Sequence, residues 1–193
     1  MYLLSPLHQI NTAAAEVLYR VIMTEVNGAD GRKRRKDTTL LDLCCGTGTL
    51  ALLMAGHVKH VIAIDHSVAA IEDARRNAEA NGVHNVTFMA GTVEDILPRL
   101  VEGNQLSGHV VAVANPSRRG LHPKAIRTLR RMDYIERLVY VSCKADGDAF
   151  FNFVFLSRPR SDSGSPFMPV NAIPVDLFPH TPHCELVLTF ERF

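Results

Sequence analysis

Two side chains in this sequence can act together on a carbon atom, although they lie far apart along the chain. Cys143 stands at the end of an apolar run, Leu138-Val139-Tyr140-Val141-Ser142-Cys143-Lys144. A run of this kind reads as a buried strand, which would present the thiol at its tip. Glu185 opens a later apolar run, and Leu43-Cys44-Cys45-Gly46-Thr47-Gly48-Thr49 forms a glycine-rich passage from strand to helix. A thiol nucleophile, a carboxylate base and a nucleotide cradle are the parts needed to methylate carbon 5 of a pyrimidine. That carbon is a poor nucleophile until a thiolate adds to carbon 6. A base must then take the C5 proton so that the thiol can leave. Each residue also has a plainer reading: buried cysteines are commonly small apolar packing residues, and Glu185 could be a surface carboxylate on a strand. Lys144, beside Cys143, would favour the thiolate.

The cradle narrows the cofactor. Gly46 and Gly48 let the backbone turn tightly and approach a ligand, and the helix that follows offers free N–H groups. Thr49 stands at its start. Asp65 ends the next strand, where a carboxylate can accept ribose hydroxyls. Gly46, Gly48 and Ala51 also match the G-x-G-x-x-A form of a nicotinamide fingerprint, so a dehydrogenase is the rival reading. Two features favour S-adenosylmethionine. Asp42 lies inside the strand before the glycines, where it can face a cationic amine, and the last two strands read as an antiparallel hairpin. Glu94 and Asp95 either meet an adenine amine or are the acidic first turn of a helix.

Asn115, in Asn115-Pro116-Ser117-Arg118-Arg119-Gly120-Leu121, offers a carboxamide that can read the edge of uracil, though Asn-Pro is also a common turn starter. His180-Thr181-Pro182-His183-Cys184 lacks a fourth ligand and carries a proline between its histidines. No metal is expected there.

The elements that must position these residues alternate. A helix is expected over residues 11–26, with Ala13, Val17, Leu18, Val21, Ile22 and Val26 on its apolar stripe. Strands are expected over 40–43, 58–64, 86–89, 110–114 and 138–142. Helices are expected over 47–56, 68–81, 93–100, 123–132 and 149–156. Residues 157–169 read as a loop, and 170–178 with 185–191 as the terminal strand pair. The pattern predicts an α/β fold with a mostly parallel, open sheet and a reversed edge. The basic run over 31–37 reads as a solvated loop more readily than as a phosphate site or a localisation signal.

Composition sets the frame. The 193 residues are 47% hydrophobic and 21% charged, as in a soluble globular domain. No stretch reaches the roughly 18 apolar residues of a membrane span, so no membrane partner is expected. Cys44, Cys45, Cys143 and Cys184 form no CxxC pair, which points to a reducing intracellular compartment. The net charge of +1 is low for a dedicated nucleic-acid binder. Either the ligand is small, or the basic contact is local, or RNA-binding parts lie elsewhere.

Taken together, these residues resemble the catalytic domain of the RNA uracil-5-methyltransferases, the tRNA (uracil-54-C5)-methyltransferase family. Ser5-Pro6-Leu7-His8-Gln9-Ile10-Asn11 is similar to the family's Phe-x-Gln-x-Asn motif, and the segment at 43–49 to its cofactor loop. Asn115 to Leu121 resembles its Asp-Pro-Pro-Arg-x-Gly-Leu segment, Val141-Ser142-Cys143 its nucleophile motif, and Phe178 to Glu185 the motif that carries its base. The resemblance implies a Rossmann-like class I S-adenosylmethionine-dependent methyltransferase fold with seven strands. It implies Cys143 as nucleophile and Glu185 as proton acceptor. Gln9, Asp42, Cys44, Gly46, Gly48, Thr49, Asp65 and Asn115 would face the cofactor, and Gln9, Asn115 and Arg118 the target base. The implied partner is RNA, tRNA before rRNA, with the target uridine flipped out of its stack. A single catalytic domain over 1–193 is expected, with 1–37 as a helix and basic loop and with RNA-binding domains upstream of it. Leu7 and Asn115 depart from the family's aromatic and aspartate. Both departures resemble the animal mitochondrial branch, which slightly favours the mitochondrial matrix over cytosol or nucleus. They also suit a binding module that keeps the fold without turnover.

Overall fold

The computed structural model describes residues 11–28, 37–103, 106 and 108–192. Helix α1 (Thr12–Asn27) precedes an alternating series: β1 (Thr39–Leu43), α2 (Thr49–Ala55), β2 (His60–Asp65), α3 (Val68–Ala80), β3 (Val86–Ala90), α4 (Val93–Glu102), β4 (Val110–Ala114), α5 (Pro123–Arg131) and β5 (Ile135–Ser142). Helix α6 (Asp148–Ser157) leads into β6 (Met168–Val175) and β7 (Glu185–Glu191). The seven strands lie in the order β3-β2-β1-β4-β5-β7-β6. The first five are parallel, and β7 runs antiparallel to both β5 and β6. The mostly parallel sheet with its antiparallel C-terminal strands is therefore present as expected.

The central strands are buried on both faces, which is why β1 and β4 read as continuous apolar runs. Successive side chains nevertheless go to opposite layers. Leu41, Leu43, Ala112, Leu138 and Tyr140 join the layer of α4, α5 and α6. Leu40, Val111, Val113, Val139, Val141 and Val187 join the layer of α1, α2 and α3.

Some boundaries move for physical reasons. Helix α2 starts at Thr49, after Gly48, whose φ of 82° lies outside the right-handed helix. On α1 the buried stripe is Ala15, Leu18, Ile22, Glu25 and Val26, while Ala13 and Val17 face out. The presence of a glutamate on that stripe hid it from a purely apolar count. Glu25 is held by Asn171 Nδ2 at 2.9 Å and by the Thr189 hydroxyl, which fastens α1 to β6 and β7. Strand β6 begins before residue 170 and stops at Val175, because Asp176 starts a local turn in which its side chain accepts from the Phe178 N–H. Pro169 and Pro174 are tolerated there because β6 is an edge strand. The loop after α6 is stapled by Arg130, whose fully buried guanidinium donates to the carbonyls of Phe155, Arg158, Pro159 and Gly164.

Candidate active site at the carboxyl edge of the sheet

The cradle is built by neighbouring strands. The N–H groups of Cys44 and Cys45 both donate to Ile64 O, at 2.8 and 2.9 Å, which folds the loop over the end of β2. Asp65 then ties it down: its Oδ2 accepts from Gly46 N at 2.8 Å and its Oδ1 from Ser67 N at 2.9 Å. Each oxygen keeps a second lone pair for a ligand hydroxyl. Asn77 of α3 donates to Thr47 O at 3.1 Å. The two glycines divide the work. A Cβ on Gly48 would stand 2.9 Å from Phe88, so this glycine is needed for packing. A Cβ on Gly46 would meet nothing within 4 Å, so this glycine leaves room for a ligand.

Asp42 is almost wholly buried on β1, and its Oδ2 has no hydrogen-bond partner. Burial pushes its carboxyl up to about 7, opposed by the Ala51 N–H and reinforced by Asp65. An orphaned acceptor beneath an open glycine loop is what a cationic amine of a nucleotide ligand would complete, so these residues fit an S-adenosylmethionine-like group. Burial, with the charges of Asp65, Asp42 and Glu94, pushes the Cys44 thiol up to about 12. Cys45 is raised further, by burial first and then by the charges of Asp42, Asp65 and Cys44. Both shifts favour the neutral thiol, and Cys44 carries the positive φ of 68° that shapes the loop.

Cys143 lies one residue past β5, half-buried, and Glu185 is the first residue of β7. The pairing of these strands ends at Ser142↔Leu186. One further step of the same register sets Cys143 opposite Glu185. Both continue the alternation that sends Val141 and Val187 to the α1 layer. Glu185 is 8% exposed, its Oε2 has no partner, and desolvation raises its carboxyl above the ordinary value. Asn115, one step beyond β4, follows Val113 on the same face, and its N–H donates to Leu43 O at 3.1 Å. Asp42, Asn115, Cys143 and Glu185 thus come from β1, β4, β5 and β7, four neighbours along one edge of the sheet. Arg118 is exposed in the loop after Asn115, and Gln9 lies outside the described residues.

Three supporting residues escaped sequence reading. Tyr19 of α1 bonds through its hydroxyl to Thr49 and lies within the electrostatic reach of Asp42 and Glu185. It sits four residues after Ala15 and three before Ile22, so a tyrosine on the inner stripe was the available signal. Tyr140 and Asn152 hold the loop after β4. The Leu121 N–H donates to Asn152 Oδ1 at 2.6 Å, Asn152 Nδ2 donates to Leu121 O at 3.1 Å, and the Tyr140 hydroxyl donates to Asn152 Oδ1 at 2.7 Å. Nothing in the spacing of Leu121, Tyr140 and Asn152 announces that clamp. A pocket of about 490 Å³ lies beside the site, lined by Asn11, Thr12, Leu177, Phe178, Pro179 and Thr181. It brings the start of α1 against the loop that leads into Glu185.

A family model described as a methyltransferase domain matches residues 34–107. The tRNA (uracil-5-)-methyltransferase homolog B of Homo sapiens is 46% identical over 188 residues, covering 95% of this chain and 36% of the relative. Homolog A of Mus musculus is 50% identical over 187 residues, covering 95% of this chain and 29% of the relative. Among solved structures, the tRNA (uracil-54, C5)-methyltransferase of Pyrococcus abyssi, in complex with S-adenosyl-L-homocysteine, superposes with a TM-score of 0.71 at 27% identity. That superposition covers 95% of this chain and 39% of the other. The chain spans about a third of the length of these relatives. Over the part that it spans, the chain is thus similar to the tRNA (uracil-5-)-methyltransferases of animals, at 46% and 50% identity across 95% of its own length.

Proposed function

We propose that this chain carries the S-adenosylmethionine-dependent methylation of uridine C5 in RNA, most simply position 54 of tRNA, through a covalent adduct of Cys143 at C6. The observation that carries the proposal is the β5–β7 register, which sets a half-buried thiol opposite a desolvated, unpartnered carboxylate.

Asp42, the Gly46 turn, Asp65 and Thr49 would hold the cofactor, with Cys44 shaping the loop. When bound, S-adenosylmethionine supplies an electrophilic methyl on a sulfonium. Asn115 orients the uracil by its edge, and Arg118 stands on the approach to it. The Cys143 thiolate forms a bond to C6, and the C5–C6 double bond opens into an enolate that makes C5 nucleophilic. Once C5 carries the methyl, Glu185 removes the C5 proton. The C5–C6 double bond re-forms and the Cys143–C6 bond breaks. Burial of Glu185 raises its proton affinity and so suits it to accept from carbon. A reducing compartment is proposed as well, because the nucleophile must remain a free thiol, and all four cysteines are unpaired. RNA-binding domains of the kind the resemblance implies would share in capturing the target.

The test uses 5-fluorouridine RNA with S-adenosylmethionine. Fluorine cannot leave as a proton, so the enzyme stalls as a covalent adduct visible on a denaturing gel. The adduct is expected with the wild-type protein and absent with Cys143→Ala. An adduct that persists in Cys143→Ala would remove this thiol from the mechanism.

A further inference from the structure

The charge on this molecule is unevenly distributed, and the imbalance begins at the site. Between residues 115 and 132 the sequence has six cations and no carboxylate, in a chain of net charge +1. Arg130 is buried, where it staples the α6–β6 loop. The other five, Arg118, Arg119, Lys124, Arg127 and Arg131, are exposed. Among the described residues none of these five forms an ion pair, whereas Arg20, Arg76, Arg137, Arg160 and Arg192 each face a carboxylate.

Their placement has a direction. Arg118 and Arg119 stand in the loop that opens with Asn115 at the site edge. Lys124, Arg127 and Arg131 follow on one stripe of α5, at helical spacings of three and four residues. Seven residues of helix spread these heads over about 10 Å, which suits a polyanion better than a single phosphate. Of the neighbouring helices, α4 is of opposite character. Helix α4 carries Glu94, Asp95 and Glu102 against one cation, Arg99. Helix α6 carries a single charge, Asp148, and its ends are balanced by Asp146 with the exposed Lys144 and Arg158. Helix α4 packs beside α5, so the positive ridge has a negative flank on that side that would keep an anionic strand on it.

We propose that the loop after β4 and the outer stripe of α5 form an RNA-backbone docking strip, which leads the strand flanking the target uridine from the site edge down the flank of the sheet. The assignment rests on the RNA substrate proposed above. It locates the basic contact that the low net charge had left unplaced.

The test measures binding of a fluorescein-labelled RNA hairpin with loop uridines, by anisotropy over a range of salt concentrations, to the wild-type protein and to the double variant Lys124→Gln/Arg127→Gln. Calorimetric S-adenosylmethionine binding and thermal melting are followed in parallel. The slope of log affinity against log salt is expected to fall by about 1.4 in the variant, about 0.7 for each phosphate contact removed. Cofactor binding and melting temperature are expected to stay unchanged. The control Lys59→Gln/Arg99→Gln removes two exposed cations elsewhere and is expected to keep the wild-type slope. An unchanged slope in the α5 variant, or an equal loss in the control, overturns the strip. Displacement by polyglutamate as readily as by unlabelled RNA would assign the ridge to an acidic protein instead and also overturns it. Absence of RNA binding by the wild-type protein fails the strip and the RNA reading together. Salt-dependent binding that α5 controls, without methyl transfer, upholds the strip while the catalytic reading fails.

Discussion

At the scale of the residue, two buried carboxylates set the pH behaviour. Asp42 has an ordinary value of 3.8 and keeps its proton in the fold up to about 7. Between those values the folded chain binds the proton and the unfolded chain does not. Stability is therefore greatest at the acid end of this window and falls as pH rises through it, by up to roughly 4 kcal/mol. Asp42→Asn is expected to flatten the trend, and melting curves at pH 5 and pH 7.5 would show it; parallel declines in both proteins would count against this origin. Glu185 is raised in the same direction by desolvation, and in the proposed mechanism its carboxylate form accepts the C5 proton. Turnover should therefore climb with pH through the folded-state value of this group. Glu185→Gln retains the nucleophile and loses the acceptor, so it should accumulate a covalent complex with ordinary uridine RNA. Rapid release of methylated product by that variant would dismiss Glu185 as the base.

At the scale of the element, the site depends on how loops are pinned to strands. Asn152 of α6 satisfies both backbone groups of Leu121 and takes the Tyr140 hydroxyl as well. Gly120 makes this possible, since a Cβ there would lie 2.5 Å from Asn152 Oδ1. Asn152→Ala leaves buried polar groups without partners and should cost about 2–4 kcal/mol, read by denaturant unfolding. It should also weaken turnover more than cofactor binding, because the slackened loop carries Asn115 and not the glycine cradle. Sequence reading reached the strands, the cradle loop and the strand-end positions of Cys143 and Glu185, because apolar runs, glycines and a thiol at a strand tip are local signals. It did not reach the Leu121–Tyr140–Asn152 clamp, the Glu25 tie or the Tyr19–Thr49 contact. Each of these joins polar groups from distant elements, and no spacing encodes such a meeting. The end of β6 was misjudged for a smaller reason: Asp176 turns the chain while the apolar pattern continues through Leu177 and Phe178.

At the scale of the whole molecule, Cys143 and Glu185 flank a seam between strands β5 and β7, which are far apart along the chain and adjacent in the sheet. Strand β7 inserts between β5 and β6, so these two cannot share a sheet without it. A chain cut before Glu185 should expose the apolar edge of β5, leave β6 unpaired and sediment as aggregate, whereas a cut that spares β7 should stay in solution. The same arrangement fixes the order of events on the ribosome. The cradle of β1, β2 and β4 can close while the chain is still emerging. The seam between β5 and β7, with Cys143 at the end of one strand and Glu185 at the start of the other, closes only after residue 191 has been made. A prematurely terminated product that lacks β7 therefore carries Cys143 without Glu185, and under the proposed mechanism such a truncated chain would lack its proton acceptor.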